Sequence, residues 1–407
     1  MLLSLRGVRP ALRAALPVAA ALGLAAAEAA AGDPRSLLGG RLRWGGEATG
    51  TIAPEDHGYF NYGDYETNTL RLFRLDVSAD ARIVPGVSLL ADLRVENFHS
   101  ARVYALYLRV RPWASRELDL QAGLVPPVFG AYPRRRYAAE NPLPSVPLAY
   151  QYLTIVREDA VPSRTEDLVS QRGRGWLVRY PVGSREAAAG LPMVNGERWD
   201  AGVEARFAAG PVEAAVAVTQ GTLSYPSVED ENGGKQLSGR VAWRPRPGLV
   251  VGASGATGEF LGRDVQEAFA ARAAGDWRQD AAGIDVEWAG GPLVLRAEAV
   301  WTRWRLPALS ATLVEGPLDA VAGYVEARYK IRPGLYAAAR AERLSFGRVP
   351  SALGEATWDA PVTRIEAGAG YTPWRHATLK LAWQHDERDG GRVRREDLVI
   401  GQVVLWF

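Results

Sequence analysis

The chain has 407 residues, 23% of them charged, with 13 Trp, 15 Tyr and no Cys. The absence of cysteine excludes a disulfide framework, so an exported chain of this size must be stabilised by other means. Beyond the first 31 residues no stretch of ~20 apolar residues occurs, which excludes helical membrane spans. The formal net charge of +2 gives no reason to expect a nucleic-acid partner.

Residues 1–31 have the features of a secretory signal peptide. Three Arg lie within the first 13 residues, residues 14–27 are uncharged and too short to span a bilayer, and small residues end the segment at Ala31. We therefore expect cleavage near Ala31. Cleavage would remove three of the 48 Lys and Arg and one of the 46 Asp and Glu, which leaves 45 of each and a net charge of zero.

Apolar and polar residues alternate with a period of two along most of the remaining chain, which predicts strands. Each predicted strand has about ten residues, the length that crosses a bilayer at a tilt. Sixteen strands are predicted, at residues 38–48, 69–80, 86–97, 102–111, 117–124, 199–208, 211–220, 236–244, 248–258, 278–288, 292–302, 319–331, 334–344, 363–372, 376–386 and 397–407.

The connections between these strands are of two kinds. Short turns such as Gly210-Pro211 and Pro333-Gly334 combine a proline, which fixes φ, with a glycine, which permits φ > 0. Long polar loops occupy the alternate connections, and the repeat of about 40 residues also fits propeller blades. A blade needs four short strands, however, whereas each repeat here contains two long ones. Short turns on one side and long loops on the other are typical of outer-membrane barrels.

Charged residues fall on one face of the predicted strands. Arg296 and Glu298 oppose an apolar face in one strand, Arg340 and Glu342 do so in another, and Lys380 does so in a third. Charges that face lipid would be unfavourable, so we expect these five side chains to face a water-filled lumen. A soluble β-sandwich would show the same alternation with its charges outside. The leader and the loop asymmetry favour the barrel.

The last eleven residues, 397–407, form a predicted strand whose apolar face ends on Phe407. The chain resembles bacterial outer-membrane β-barrels, a family whose last strand commonly ends in Phe. The resemblance implies an all-β fold, a transmembrane antiparallel up-and-down β-barrel. It also implies that Phe407 is the C-terminal assembly signal for the barrel-assembly machinery. A terminal strand of a soluble β domain is the alternative.

Residues 125–198 break the pattern, with nine prolines and many aromatic residues. A loop longer than ~15 residues is usually functional or disordered, and the aromatic content argues against disorder. The preceding strand is predicted to run outward and the following strand inward, so the segment is one external excursion after the fifth strand. These strand directions require an even number of strands. Sixteen is the predicted number, and eighteen is the alternative.

Residues 123–130 (GLVPPVFG) resemble the end-of-strand Pro-Phe-Gly element of porin-like families, and the whole architecture resembles the sixteen-stranded porins. This resemblance implies that residues 125–198 fold into the barrel and narrow the pore, within one domain over residues 32–407. It also implies outer-membrane lipid and lipopolysaccharide as surroundings, and barrels of this size in that family often form homotrimers.

The inserted segment supplies candidate constriction residues of both signs. Opposing charges at the narrowest point of a pore order water and select ions, and Arg residues favour anions and phosphate. The alternatives for these Arg residues are a solvated loop face or contact with lipopolysaccharide phosphates. The candidates are Arg134, Arg135, Arg136, Arg157, Glu158, Asp159 and Arg164.

The four His residues, His57, His99, His376 and His385, stand alone in the sequence without metal-ligand spacing or a catalytic partner. We therefore expect no catalytic residue, no metal and no cofactor. The sequence predicts a porin-like channel in the bacterial outer membrane for passive diffusion of small hydrophilic solutes, with a modest anion preference. A plugged barrel with a structural or adhesive role is the alternative.

Overall fold

A computed structural model describes residues 36–37, 40–64, 67–98, 100–113, 117–135, 137–270, 277–306, 316–352 and 354–407, and the expected signal peptide lies outside them. The described residues include sixteen long antiparallel strands, β1 to β16, that pair in chain order and close where β16 pairs with β1, and a two-residue strand at Ser36–Leu37 also pairs with β1. The strands are Leu42–Ile52, Phe73–Val84, Val87–Glu96, Ser100–Val110, Glu117–Val125, Asp200–Ala209, Val212–Thr219, Gln236–Arg246, Leu249–Glu259, Arg278–Gly290, Leu293–Trp304, Leu318–Arg332, Leu335–Phe346, Val362–Trp374, Ala377–Arg388 and Arg395–Trp406.

The all-β class, the sixteen strands rather than eighteen, and the position of the long insert after β5 confirm the prediction. Only the first two strands shift, because β1 and β2 each begin four residues later than expected. The reason is that residues 53–64 and 67–72 turn into the barrel. Leu70, which alternation places at the start of a strand, is instead buried against Leu398 and Ile400 on the inner face of β16.

The two faces of the barrel wall differ in the way that alternation predicts. Outward-facing apolar side chains are largely exposed, for example Ile284 at 66% and Leu381 at 62%. Charged side chains on the opposite face, such as Arg340 and Glu366, are almost completely enclosed. Exposed rings of Trp113, Trp243 and Trp374 lie near the end with the short turns. This outer surface matches an apolar membrane with aromatic residues at its boundary.

Phe407 closes the barrel seam. Its backbone N–H donates to the carbonyl of Gly46 (3.0 Å), and its carbonyl accepts from the Gly46 N–H (3.1 Å). Its ring meets Trp44 edge to face at 5.6 Å between centroids. The ring also covers Gly46, where a Cβ atom would lie 2.7 Å from Cζ of Phe407. The terminal residue therefore packs into a space that the first strand leaves open.

Helices are short and lie in the connections. They are α1 (Leu148–Gln151), α2 (Thr165–Ser170) and α3 (Arg263–Ala270), with 3₁₀ turns at Tyr132–Arg135 and Ala138–Glu140. In the described part of the chain, no helix has the length and apolar character that crossing a membrane requires. Two-residue strands at Ala160–Val161 and Val182–Gly183 pair within the insert. The insert is thus an irregular but folded unit.

The Gly46→Val variant tests the seam. An added side chain would collide with the Asp76 carbonyl and the Phe407 ring, and such overpacking destabilises by about 1–3 kcal/mol. We expect a lower denaturant midpoint for refolding into lipid vesicles, measured by circular dichroism. Gly50→Val is the matched control, since a Cβ at Gly50, on the same strand, meets no atom within 4 Å. An equal decrease of the denaturant midpoint in both variants would contradict this role for Phe407.

Candidate pore constriction

Residues 130–135 and 137–147, here called the lumen strap, form the part of the insert that crosses the inside of the barrel. Strand β5 ends at Val125, where Pro126 and Pro127 lack the N–H groups that a ladder requires. Gly130 then adopts φ +69°, and a Cβ there would collide with the Tyr150 hydroxyl. A glycine is therefore needed where the chain turns from the wall into the lumen.

Strands β1 and β15 hold the middle of the lumen strap. The Glu47 carboxylate accepts hydrogen bonds from the backbone N–H groups of Ala138 (2.7 Å) and Ala139 (2.8 Å). Lys380 donates from Nζ to the Ala138 carbonyl (2.7 Å). Both wall side chains are buried. The partners of these two charged wall groups are thus backbone atoms of the strap.

Strands β11, β13 and β14 hold both ends of the strap. On β11, Glu298 accepts from the Ala131 N–H (2.9 Å) and from the Tyr150 hydroxyl (2.5 Å). On β13, Arg340 donates from Nη2 to the Ser145 hydroxyl (2.6 Å), and that hydroxyl donates to Glu366 on β14. The strap therefore spans the lumen between β1 and the β11–β14 wall.

Arg135 joins a buried charge network centred on Glu326. Three guanidinium groups lie near this carboxylate, from Arg135 (3.3 Å), Arg296 (3.2 Å) and Arg340 (3.3 Å). Arg135 also donates to the Tyr324 hydroxyl (2.8 Å). Pairing of this kind is what makes charge burial tolerable. Glu342 belongs to the same wall, where it accepts from Arg340 (2.7 Å) and from the Leu148 N–H (2.7 Å).

Arg134 is an exposed residue of the strap. Its side chain is 43% exposed and reaches Glu213 on β7 at 3.4 Å. Burial of its remaining surface and the positive charges of Arg240 and Arg206 lower the pKa of Arg134, although a guanidinium stays charged at neutral pH. The strap thus presents a cation beside two further Arg residues of the wall.

The other predicted constriction residues occupy different places. Arg157 is buried and donates to Asp159 (2.6 Å) and to the carbonyls of the insert's own backbone at 178 and 186 (both 2.7 Å). Arg164 flanks the start of α2 and pairs with Asp167 at 3.3 Å. Glu158 lies beside α3, where its carbonyl accepts from the N–H of residue 262. Arg136 lies outside the described residues.

An apolar core fills the long-loop end of the lumen beside β10–β14. It joins side chains of the insert to inward-facing side chains of the wall and to residues of neighbouring loops. Its insert members include Phe129, Tyr150, Ile155, Val161 and Met193. Its wall members include Ala281, Val300, Trp304, Leu318, Leu344 and Phe346. At this end of the barrel the insert therefore packs against the wall through rings and aliphatic groups, whereas the charged network around Glu326 lies nearer the middle of the same strands.

The lumen beside β1–β3 is polar instead. Glu197, at the end of the insert, pairs with Arg74 (2.8 Å) and Arg94 (2.9 Å). A cavity of about 60 Å³ lies between the strap and this wall, enough for a few water molecules. Its polar lining comes from Glu47, Thr49, Thr51, Thr69, Arg74, Asp76, Asn141, Glu197 and Gln402.

Several residues of this site were missed from the sequence. Glu47 is the one carboxylate of its strand, and Ser145 and Glu366 become partners only across 221 positions of chain. The inward turn of residues 53–72 was also missed. The sequence feature that indicates this turn is on β16, where Leu398 and Ile400 make the inner face apolar. Apolar side chains in that position must be covered by another segment of the chain.

Replacing Glu47 with Ala tests whether the strap narrows the lumen. Each hydrogen bond to a charged acceptor contributes roughly 1.5–3 kcal/mol, so loss of both should release the strap around Ala138. We expect a larger single-channel conductance in planar bilayers. Glu47→Gln retains an acceptor oxygen and should have a smaller effect. Identical conductance of Glu47→Ala and the parent protein would contradict this role.

Glu158 provides a pH test outside the barrel strands. Burial, and then the charge of Asp159, raise the pKa of Glu158 to about 7. A raised pKa stabilises the folded insert at low pH, and this contribution is lost as pH rises through about 7. Hydrogen exchange of residues 155–185, corrected for intrinsic rates, should increase between about pH 5 and about pH 8. Glu158→Gln should abolish that increase, and the exposed-site control Glu166→Gln should preserve it.

The chain was compared with known proteins at three levels. No protein-family model matches it, and no curated protein matches it by sequence. Solved structures do match. OmpF of Salmonella typhi, in complex with daunomycin, aligns with a TM-score of 0.53 at 12% identity, over 90% of this chain and 97% of that chain.

Two further structures align over the same shares of both chains, 90% and 97%. The outer membrane channel DcaP of Acinetobacter baumannii gives a TM-score of 0.53 at 14% identity. OmpT of Vibrio cholerae, expressed in the outer membrane, gives 0.52 at 10% identity. At these identities the likeness concerns architecture. The chain therefore has the fold of the sixteen-stranded outer-membrane porins.

Proposed function

We propose that the protein is a narrow porin-like channel of the bacterial outer membrane, through which small hydrophilic solutes diffuse passively. The lumen strap is the observation that supports this most strongly. It crosses the barrel between β1 and β11–β14 and is held there by wall charges. A segment fixed in this way sets the width of any aqueous path, and the path needs no catalytic group.

The outer surface of the barrel and its fold support the proposed location in the outer membrane. An apolar band covers the barrel wall, and aromatic rings lie near its short-turn end. The matched barrels include proteins described as outer-membrane proteins. A leader cleaved near Ala31 would export the chain, and Phe407 at the seam would serve the barrel-assembly machinery. Lipid and lipopolysaccharide would then surround the wall.

We place the aqueous path beside β1–β8. The apolar core fills the long-loop end of the lumen beside β10–β14, whereas the cavity near Glu47 and the surroundings of Arg134 are polar. In this arrangement Arg134 lines the constriction. Arg135 and the lumen-facing residues Arg296, Glu298, Arg340, Glu342 and Lys380 hold the strap. Buried Arg157, paired with half-exposed Asp159, stabilises the fold of the insert together with Glu158 and Arg164.

A modest anion preference follows from the charges around Arg134. Four guanidinium groups meet three carboxylates there: Arg206 pairs with Glu204, Arg240 pairs with Asp285, and Arg134 and Arg244 share Glu213. Unbalanced guanidinium groups at a narrow point favour anions. The bias should be weak, because charges of both signs line the wall.

A plugged barrel with a structural or adhesive role is the second candidate. The apolar core of the insert favours it, because this core seals a large part of the long-loop end of the lumen. The two candidates differ in one respect. A channel needs a continuous polar path beside the insert, whereas a plug needs none.

The homotrimer is also part of this proposal. A trimer form is among the OmpT structures that align with this chain, with a TM-score of 0.50. A groove of about 870 Å³ extends over the outer face of β8–β13, and the apolar wall of a second copy would pack there. The small residues along this groove are Ala297, Ala299, Gly323 and Ala341.

The reversal potential of single channels under a salt gradient tests the proposal. The parent protein should give open channels with a weak anion bias, and Arg134→Ser should remove roughly half of that bias. Arg348→Ser is the matched control, because Arg348 is 70% exposed on an outer loop. Unchanged selectivity of Arg134→Ser would remove this residue from the path. Silent bilayers from fully folded protein would favour the plugged barrel.

A further inference from the structure

A second pocket lies at the long-loop end of the barrel, away from the lumen strap. It opens between the loop at residues 53–72, the insert at residues 173–177 and the loop at residues 389–394, and it encloses about 610 Å³. This volume falls within the usual range of small-molecule sites. The side chains and backbone around it belong to His57, Tyr59, Gly173, Arg174, Trp176, Leu177, Arg388, Arg392 and Val393.

The aromatic part of this outer pocket is held in a fixed position. The rings of Tyr59 and Trp176 stack at 3.8 Å between centroids with an interplanar angle of 9°. Tyr59 has φ +57°, a conformation that bulky residues rarely adopt. Backbone strain of this kind persists only where the surroundings enforce it, and it concentrates at functional sites.

Two carboxylates enforce the turn that carries Tyr59. Asp56 accepts from the N–H groups of Phe60 (3.1 Å) and Asn61 (2.7 Å). Glu396, from β16, accepts from the N–H groups of His57 (2.8 Å) and residue 58 (2.7 Å). These acids are therefore engaged by backbone donors. These hydrogen bonds fix the backbone of the turn and thereby the position of the Tyr59 ring.

The charged part of the outer pocket is strongly basic. Arg388 donates to the carbonyls of Gly390 (3.3 Å) and Val393 (3.0 Å) and to the Tyr152 hydroxyl (3.4 Å), all of which are neutral. Arg174 and Arg392 are exposed. Among the described residues, no carboxylate lies within ion-pair distance of any of these three guanidinium groups. Arg388 is buried and experiences the negative charges of Asp56 and Asp359, so the exposed guanidinium groups of Arg174 and Arg392 are the cations available to a ligand.

We infer that this outer pocket binds a small organic anion that contains a flat apolar ring, such as an aromatic carboxylate. The guanidinium fork matches the two oxygens of a carboxylate. The Tyr59–Trp176 pair, with Leu177 and Val393, provides apolar and aromatic surface for the ring. Binding here goes beyond the proposed channel function, because it requires no conduction.

The test uses the refolded full chain in detergent micelles and isothermal titration with benzoate. Acetate supplies the charge without the ring, and benzyl alcohol supplies the ring without the charge. We expect saturable benzoate binding that is at least tenfold tighter than binding of either comparator. Inorganic phosphate, which stands for phosphate groups of surrounding lipids, should also bind at least tenfold more weakly. Phosphate binding as tight as benzoate binding would overturn the inference.

Two variants assign the binding to this pocket. Replacing Arg174 and Arg392 together with Gln should weaken benzoate binding at least tenfold, since each loses a charged donor. Trp176→Leu should weaken it as well, because the stacked pair is lost. Arg179→Gln is the matched control, because Arg179 is an exposed residue of the same insert and does not line the pocket.

The outcomes separate this inference from the proposed function. Absence of benzoate binding to protein that circular dichroism shows to be folded would overturn the inference, even if channels open normally. Equal binding by the double variant and the Arg179→Gln control would also overturn it. Benzoate binding to protein that forms no channels would support the inference and contradict only the proposed function.

Discussion

Burial of charge inside a closed barrel is the constraint on which the rest of the structure depends. Strand alternation that presents apolar groups outward must present polar groups inward, and buried charges are tolerated only when they are paired. The insert supplies many of those partners. Glu47, Glu298 and Glu342 each accept from insert backbone N–H groups, and Arg340 binds Ser145. The wall and the strap therefore stabilise each other.

This mutual dependence gives the lumen two unlike sides. At the long-loop end beside β10–β14 the insert packs through rings and aliphatic groups, and beside β1–β3 it packs through ion pairs such as Glu197 with Arg74. The long-loop end beside β10–β14 is therefore sealed, and the lumen beside β1–β3 is polar. A narrow path beside the polar side accounts for both features, whereas a wide pore would require the insert to leave its apolar contacts.

Much of the fold could be predicted from the sequence, because a period of two is a local property of each strand. Strand number, the position of the insert and the inner placement of Lys380 follow from alternation and parity. The pairing of Ser145 with Glu366 does not, since it joins residues 221 positions apart. Arg134 and Arg157 are equally charged in the sequence, yet one is half-exposed and the other is buried. Only tertiary packing distinguishes them.

The most direct test of this account is a single-channel recording of the unaltered mature protein in a planar bilayer. The account predicts discrete openings of small conductance, because the strap and the apolar core leave only a narrow polar path. Silent bilayers from protein shown to be folded and inserted would contradict it, as would a conductance typical of a wide, unobstructed barrel.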